Sequence, residues 1–282
     1  MAQVSVTIAD GVLTVTRVRE VERKDAAGNV TRKQQLIDTI TGRVTGDELK
    51  LILVAPRQDE VATDRSEFSG KRIPPLPLRP NLAQVKFGAP ITLFNGRDLS
   101  GWRLIDPRMS SAWTVGSGVL MNRPPHATPG ARKAAKKAGE TPVRYGNLRT
   151  EQEFEDFNLK LEVSVPAGSN SGVYLRGIYE IQVSDSYGKP LDSHNMGALY
   201  SRITPSVSAE KPPGEWQSLD MTLVDRHVTV VLNGKTIIDN QPAAGCTGGA
   251  MWSDQFRPGP IFLQGDHGAV SYRNITLRPV VK

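Results

Sequence analysis

The sequence contains one cysteine and no long apolar run, and both absences restrict what the chain can be. Among 282 residues only Cys246 carries a thiol, so no disulfide can form within the chain. Cys246 lies in the glycine-rich stretch GCTGGA without an adjacent base, which favours a buried or loop thiol over a nucleophile. No stretch approaches the roughly 20 apolar residues of a membrane-spanning helix, so we expect no membrane span.

A signal sequence is also missing from the N-terminus as given. The stretch MAQVSVTIADG has no basic segment followed by an apolar segment. This pattern predicts either a cytoplasmic protein or a chain that begins after its signal.

Positive charge is in moderate excess, but the sequence has no motif for binding an anionic partner. The formal net charge is +6, and part of the excess lies in the run ARKAAKKAGE at 131–140. That run has no interleaved aromatic residues, which favours a solvated loop or short helix over a nucleic-acid site. We therefore predict no nucleic-acid partner.

Helical periodicity is scarce, whereas alternating apolar and polar segments bounded by turn residues recur along the chain. Residues 1–67 predict a small antiparallel β module, and the proline-rich stretch 68–90 predicts an extended linker. Residues 91–282 predict about nine strands without intervening helices. The sequence therefore indicates an all-β protein in which a two-sheet antiparallel jelly-roll sandwich follows the small module.

The stretch NSGVYLRGIYEIQVSD at 170–185 alternates as a half-buried strand does. Its polar positions carry Arg176, Glu180 and Gln182, and on a single strand these side chains share one face. Two interpretations are open. The face lines the concave groove of a curved sandwich, or it is a solvated outer face on which Arg176 and Glu180 pair.

Seven motifs follow one another in the second half of the chain: LFNGRDLSGW, FNLKLEVSVPAGSNSGVYLRG, YEIQVSD, GEWQSLDMTL, LNGKTIID, GPIFLQGDHG and YRNITLRP. Together, over about residues 90–280, they resemble the 3-keto-disaccharide hydrolase domain family. The resemblance implies a concanavalin A- or laminarinase-like jelly roll. It also implies an exported bacterial protein, periplasmic or extracellular, whose first 67 residues are an N-terminal extension.

The resemblance further implies substrates whose C3 hydroxyl has been oxidised to a ketone. Such a ketone acidifies the proton on C2, and the resulting enolate expels the glycosidic oxygen from C1 before water adds back. This route needs a base near C2, donors near the C3 oxygen and an acid near the leaving group. Conventional glycosidases instead use two carboxylates that flank the bond. The sequence has no ExDxxE strand motif, because EIQVSD carries one carboxylate on each face.

Glu180 and His194 are our candidates for acid–base catalysis, although a loop-anchoring role fits His194 equally well. Other candidates have side chains that can hydrogen-bond to or stack on a sugar: Tyr174, Arg176, Gln182, Trp216, Gln264, Asp266 and His267. For Trp216 a structural anchor is the alternative, and for the DHG sequence at 266–268 the alternative is a plain turn.

A divalent metal ion is the one cofactor that the sequence suggests. Glu180, Asp185, His194 and His267 offer carboxylate and imidazole ligands, and a cation would stabilise an enolate. No HxH or HExxH spacing supports this set, and Asp185 is also typical of a turn.

The leading hypothesis is therefore a hydrolase or lyase that cleaves 3-keto-glycosides, with a small-molecule or oligosaccharide substrate. The alternatives are a non-catalytic carbohydrate-binding module, because the same sandwich hosts both functions, and a laminarinase-type glycoside hydrolase. The sequence leaves the oligomeric state open.

Overall fold

The computed structural model describes residues 3–25, 29–57, 62–125 and 143–281. The basic run at 131–140 lies outside these ranges. The chain divides into two compact units, Met1–Pro75 and Leu76–Lys282. Within the described ranges, no helix has the length and hydrophobicity needed to cross a membrane.

The first unit is a single antiparallel sheet whose strands follow one another in chain order. The strands are β1 (Gln3–Ala9), β2 (Val12–Lys24), β3 (Val30–Thr45), β4 (Glu48–Pro56) and β5 (Thr63–Lys71). On one face the buried carboxylate of Asp38 accepts hydrogen bonds from Arg17 and Arg19 at 2.6 and 2.9 Å. This sheet is the small β module that the sequence predicts.

The sheet ends later than the sequence predicts. Strand β5 pairs with β4 as far as Lys71, inside the stretch 68–90 whose composition predicts a linker. The physical reason is that SEFSGK has no proline, so every backbone N–H remains able to join the ladder. The proline-rich part begins only at Pro74, next to the boundary between the units.

Among its described residues the second unit contains thirteen strands and one turn of 3-10 helix at Leu82–Gln84. The strands are β6 (Ile91–Thr92), β7 (Trp102–Leu104), β8 (Trp113–Gly116), β9 (Val119–Asn122), β10 (Leu148–Thr150), β11 (Phe157–Ser164), β12 (Asn170–Leu175), β13 (Tyr179–Ser184), β14 (Gln217–Val224), β15 (His227–Leu232), β16 (Lys235–Pro242), β17 (Phe262–Leu263) and β18 (Val270–Pro279). They form two antiparallel sheets. The smaller has the order β13-β12-β17-β10-β7, and the larger has the order β16-β15-β14-β11-β18-β9-β8, with β6 paired to β18. The prediction of an all-β, two-sheet jelly-roll sandwich is confirmed.

The core lies between these two sheets and follows from the alternation of the sequence. In β11, Leu159, Leu161 and Val163 are buried, while Lys160 between them is exposed. In β13, Ile181 and Val183 belong to the same apolar cluster. Each such side chain contributes about 1.5–3 kcal/mol when fully buried, so the alternation fixes which face of each strand turns inward.

The stretch at 170–185 is a hairpin and not the single strand that its alternation suggests. Strands β12 and β13 are joined by a turn at 176–178, where Arg176 and Gly177 have φ angles of 55° and 68°. Tyr174 lies opposite Glu180 and Gly172 lies opposite Gln182. Because each pair is separated by an even number of residues, the alternation still assigns the side chains of the two strands, though not those of the turn, to the correct face.

Candidate functional site

A row of side chains crosses the smaller sheet on the face turned away from the core. Glu180, Tyr174, Phe262 and Arg149 are successive cross-strand partners on β13, β12, β17 and β10. The neighbouring row, which includes Leu263, faces the core. The polar positions of the hairpin therefore lie on the non-core face of the smaller sheet.

Glu180 is nevertheless shielded from solvent, because two segments close around the edge of its strand. The N–H of Tyr200 donates to the Glu180 carbonyl at 3.0 Å. The Glu180 N–H donates to Thr247 Oγ1 at 2.9 Å, and that hydroxyl donates to the Ile178 carbonyl. As a result Glu180 is only 3% exposed, and its carboxyl group lies in a low-dielectric environment.

The Glu180 carboxyl and the Tyr174 hydroxyl are hydrogen-bonded to each other. The phenolic oxygen of Tyr174 lies 2.7 Å from Glu180 Oε2 and 2.7 Å from the Gly248 carbonyl oxygen. A phenol has one hydrogen and a carbonyl can only accept. When Tyr174 donates to Gly248, the contact with Glu180 is therefore a hydrogen bond only if Glu180 carries a proton.

The electrostatics of Glu180 agree with this geometry. Burial raises the pKa of Glu180 to about 7, although the hydrogen bond from Tyr174 and the charge of His267 lower it. Burial also raises the pKa of Tyr174 well above its ordinary value, so the phenol stays neutral. Glu180 can therefore change its protonation state near neutral pH, which is the range useful to a general acid or base.

Tyr174 supports Glu180 and does not present an open surface to a sugar. Its ring stacks on Phe262 with 3.8 Å between centroids and 6° between planes, and the residue is 1% exposed. The structure therefore does not leave Tyr174 open as a stacking platform, because Phe262 covers one ring face and the hydroxyl contacts Glu180 and Gly248.

Two glycines make room for this arrangement. A Cβ atom at Gly172 would lie 2.5 Å from Glu180 Oε1, and one at Gly249 would lie 2.5 Å from the Tyr174 hydroxyl. The carboxyl of Glu180 thus lies across the backbone of Gly172, where any other residue would displace it.

Amide side chains without protein partners lie beside the carboxyl. Gln182 and Gln264 are 3% and 7% exposed, and their Oε1 atoms, like Oδ1 of Asn170, accept no hydrogen bond from any described residue. Buried amide oxygens are nearly always paired in folded proteins. The hydrogen bonds missing on this face must therefore come from water or from a ligand.

Asp266 and His267 lie on the loop that follows β17. The His267 Nδ1 and Asp266 Oδ1 atoms are 2.7 Å apart, and both side chains are about half exposed. Asn147 Oδ1 accepts from the N–H groups of Gly265 and Asp266 and so holds the loop in place. The charges of Asp266 and His267 both act on the pKa of the Glu180 carboxyl, His267 lowering it and Asp266 raising it.

Arg176 does not join this face, in contrast to the prediction. It lies in the hairpin turn, and its guanidinium donates to the backbone carbonyls of Gln255 and Arg257 at 2.8 and 2.5 Å. The reversal of the chain at Gly177 is the reason, because it removes Arg176 from the strand that carries Glu180. Arg176 instead anchors the segment around Gln255.

Trp216 also lies elsewhere. Its ring packs under the guanidinium of Arg273 at 4.1 Å, and Arg273 pairs with Glu162 on the outer face of the larger sheet. The structure favours the alternative of a structural anchor for Trp216 and separates it from Glu180, because β14, which follows it, belongs to the other sheet.

His194 is placed at the margin of the site. Its Nδ1 contacts Asp192 and its Nε2 contacts Ser201 Oγ at 2.9 Å, and its side chain is 52% exposed. The ring edge meets the ring of Tyr200 at 4.9 Å. His194 therefore anchors its loop beside Tyr200, whose backbone N–H donates to the Glu180 carbonyl.

The predicted metal-ligand set does not assemble. Asp185 accepts a hydrogen bond from the Gly168 N–H at 2.8 Å, in a turn at the end of β13. In the part of the chain that the structure describes, no three His, Cys, Asp or Glu side chains are grouped so that they could hold a metal ion. The reason is that the Asp185 side chain holds the turn after β13 and the His194 ring bonds within its own loop.

Sequence reasoning missed the segment at 247–249. Thr247 and Gly248 bond directly to Glu180 and Tyr174, yet they lie 67 or more residues away along the chain. The glycines of GCTGGA were the available signal, because a cluster of glycines often marks a close approach of the backbone to another group.

One open cleft lies away from this face. A cavity of about 430 Å³ opens on the outer face of the larger sheet, where Lys160 pairs with Asp220. Its charged side chains are already paired, so its volume alone does not make it the better candidate site.

Comparison with known proteins identifies relatives of the second unit. Residues 89–278 match the model of the 3-keto-alpha-glucoside-1,2-lyase-like domain. A 3-keto-disaccharide hydrolase of Bacteroides thetaiotaomicron is 26% identical over 176 residues, which are 53% of this chain and 57% of that protein. The match therefore spans little more than half of the relative's length.

Solved structures from Parabacteroides distasonis have the same fold. A protein provisionally named as a glycosyl hydrolase is 28% identical with a TM-score of 0.52, covering 76% of this chain and 94% of the other. A second, named in the same way, is 20% identical with a TM-score of 0.51, covering 68% and 94%. The second likeness is one of fold alone.

Proposed function

The chain belongs to the 3-keto-alpha-glucoside-1,2-lyase-like domain family, and from this premise we propose that it cleaves the glycosidic bond of 3-keto-glycosides with Glu180 as the general base. The observation that carries the proposal is the buried Glu180 carboxyl, hydrogen-bonded to Tyr174 and with a pKa of about 7. A base of this pKa is stronger than an ordinary glutamate and is still partly ionised at neutral pH.

The reaction proceeds by proton abstraction and elimination. The ionised Glu180 takes the proton from C2, and the C–H electron pair forms an enolate with the C3 ketone. The enolate then restores the ketone and forms a C1–C2 double bond, while the bond from C1 to the glycosidic oxygen breaks. The leaving oxygen takes a proton, and water adding across the double bond completes a net hydrolysis.

Tyr174 and the Asp266–His267 pair support the two proton transfers. Tyr174 can donate its hydrogen to the ionised Glu180 and hold the carboxylate in place, since the two oxygens are 2.7 Å apart. His267, oriented by Asp266, is our candidate for the group that protonates the leaving oxygen. His194, with both ring nitrogens engaged, is the second candidate.

The substrate preference tests the proposal directly. We expect the protein to release the aglycone from a chromogenic 3-keto-glucoside and to leave the unoxidised glucoside intact. Cleavage of the unoxidised glucoside would instead favour a conventional glycoside hydrolase. Binding of either sugar without turnover would favour a carbohydrate-binding module.

Substitution of Glu180 tests its proposed role as the general base. Glu180→Gln keeps the shape of the side chain but cannot accept the C2 proton, so we expect turnover of the 3-keto-glucoside to fall by about 10²- to 10⁴-fold. Thermal unfolding should remain cooperative. Turnover close to that of the unmodified protein would remove Glu180 from the mechanism.

The roles of His267 and His194 are compared by measuring turnover of 3-keto-glucosides. His267→Ala should lower turnover most for substrates with a poor leaving group, because these depend most on protonation of the leaving oxygen. His194→Ala should affect good and poor leaving groups alike. A leaving-group dependence found only for His194→Ala would transfer the acid role to His194.

A further inference from the structure

Gln182 and Gln264 flank Gly172 in one cross-strand row of the smaller sheet. Gln182 is the register partner of Gly172 on β13, and the Gln264 N–H donates to the Gly172 carbonyl at 2.9 Å from the opposite side. The two glutamines are thus two strand spacings apart, or about 10 Å. Between them Gly172 has no side chain, and the carboxyl of Glu180 lies across it.

Both amide side chains are more than nine-tenths buried. In the part of the chain described, neither Oε1 atom accepts a hydrogen bond. A buried polar group without a hydrogen-bond partner is unfavourable in the folded protein. Gln182 and Gln264 lie on either side of the carboxyl that we propose reacts. This arrangement is expected of a binding site in which the ligand itself donates the missing hydrogen bonds.

We propose that Gln182 and Gln264 form a pair of specificity-determining residues that bracket one neutral sugar ring and accept hydrogen bonds from hydroxyl groups on two of its sides. This inference rests on the proposed function, since it takes the bracketed ring to be the one that Glu180 deprotonates. The strands that carry the two glutamines are about 10 Å apart, which leaves a separation of the order of one sugar ring with a hydrogen bond on each side.

The chemistry of the row defines the ligand class. Amide oxygens accept from hydroxyl groups and offer no cation to an anionic substituent. A uronic acid ring would bring a carboxylate next to Gln182 or Gln264 and to Glu180 in a poorly solvated site, which is unfavourable. The pair therefore selects neutral rings that carry both recognised hydroxyls, and it rejects carboxylated rings and rings that lack either hydroxyl.

Variants and ligand analogues test the pair together. Gln182→Leu and Gln264→Leu remove the acceptor, and the ligands are a methyl glucoside, its 4-deoxy and 6-deoxy analogues, and the corresponding glucuronide. Because these unoxidised ligands are not expected to turn over, their dissociation constants are measured by calorimetry or NMR titration. The same variants are assayed for turnover of the 3-keto-glucoside.

For the unmodified protein we expect removal of a recognised hydroxyl to weaken binding about tenfold or more. Each glutamine variant should bind the parent glucoside about tenfold more weakly and should no longer distinguish it from one of the two deoxy analogues. Gln241→Leu is the matched control, because Gln241 is exposed on the other sheet. This variant should leave the affinities for the parent glucoside and for its deoxy analogues unchanged.

Unchanged discrimination in both glutamine variants would overturn the inference and would mean that water alone satisfies the amides. If either leucine variant unfolds, Gln182→Met and Gln264→Met preserve the shape of the side chain without the acceptor. Failure of the proposed function gives a different result: glutamine-dependent discrimination in binding would persist while no 3-keto-glucoside is cleaved.

Discussion

At the scale of single residues, the protonation of Glu180 is controlled by burial and not by a neighbouring acid. Desolvation is the largest cause of its raised pKa, and the charge of Asp266 is a smaller one. This differs from carboxylate pairs, in which one acid raises the pKa of the other by repulsion. The pKa of Glu180 therefore depends on how completely the segment at 247–249 shields its carboxyl from solvent.

The raised pKa predicts how stability depends on pH. Between the ordinary pKa of 4.5 and the folded-state value of about 7, the folded protein holds a proton on Glu180 that the unfolded chain has released. The free energy of unfolding therefore falls by roughly 3 kcal/mol from this group as pH rises through that interval. Chemical unfolding at about pH 5 and pH 8 measures the change.

Glu180→Gln is the control for this prediction, because the amide does not titrate. The variant should lose the part of the pH dependence that lies between 4.5 and 7. An identical pH dependence in the variant would mean that Glu180 titrates in the folded protein as it does in the unfolded chain.

At the scale of structural elements, a turn and a glycine-rich segment decide which groups meet at the site. The turn at 176–178 folds β12 and β13 together, so that Tyr174 faces Glu180. The segment at 247–249 then closes the arrangement through the Gly248 carbonyl and the Thr247 hydroxyl. Neither element contributes a reacting side chain, yet both determine the position of the carboxyl.

Gly249→Ala tests the fit of the glycine-rich segment. Gly249 has a φ of 79°, and a Cβ there would lie 2.5 Å from the Tyr174 hydroxyl. Gly188 has a similar φ of 75° but open space around its Cβ position, so Gly188→Ala carries the backbone strain without the clash. We expect Gly249→Ala to be about 1–3 kcal/mol less stable than Gly188→Ala in urea unfolding, and equal stabilities would contradict the close approach of Gly249 to Tyr174.

Arg176→Ala tests the anchoring role of the turn. The substitution leaves the carbonyls of Gln255 and Arg257 without their charged donor, so we expect a loss of about 1–3 kcal/mol of stability. Arg108→Ala is the control, because Arg108 is 88% exposed in its pair with Asp106 and should change stability by less than about 1 kcal/mol. If the two variants are equally stable, Arg176 is not an anchor.

At the scale of the whole molecule, the second unit is larger than the family domain it contains. The family match begins at residue 89, whereas the compact unit begins at Leu76. The intervening segment is tied to the sandwich, since the Pro80 carbonyl accepts from Asn240 at 2.8 Å and the Lys86 carbonyl accepts from the Val281 N–H at 2.8 Å. These contacts predict that the segment is part of the folded unit.

Two fragments test this boundary. We expect a fragment of residues 76–282 to unfold cooperatively and to retain turnover of the 3-keto-glucoside. A fragment of residues 89–282 should be less stable by about 1–3 kcal/mol, because it loses these hydrogen bonds. Arg79→Ala in the longer fragment should have little effect, since the Arg79–Asp239 pair is exposed. Equal stability of the two fragments would make residues 76–88 a linker.

Much of the fold and part of the site could be predicted from the sequence, for a local reason. Successive side chains of a strand point to opposite faces, so alternation alone assigned Glu180 and Gln182 to one face and Ile181 to the core. The turn inside the same stretch could not be predicted in this way, because a non-glycine residue such as Arg176 rarely adopts a positive φ.

The sequence by itself determined an all-β sandwich and the residues that line each strand face, because these follow from backbone geometry and apolar burial over a few neighbouring positions. Only the tertiary structure decided that Tyr174 and Gly248 meet at Glu180, that Trp216 and Arg176 lie elsewhere, and that the proposed metal ligands remain dispersed. These outcomes depend on which strands become neighbours and which distant loops cover them. Contacts between segments far apart in the chain leave no periodic pattern in either segment.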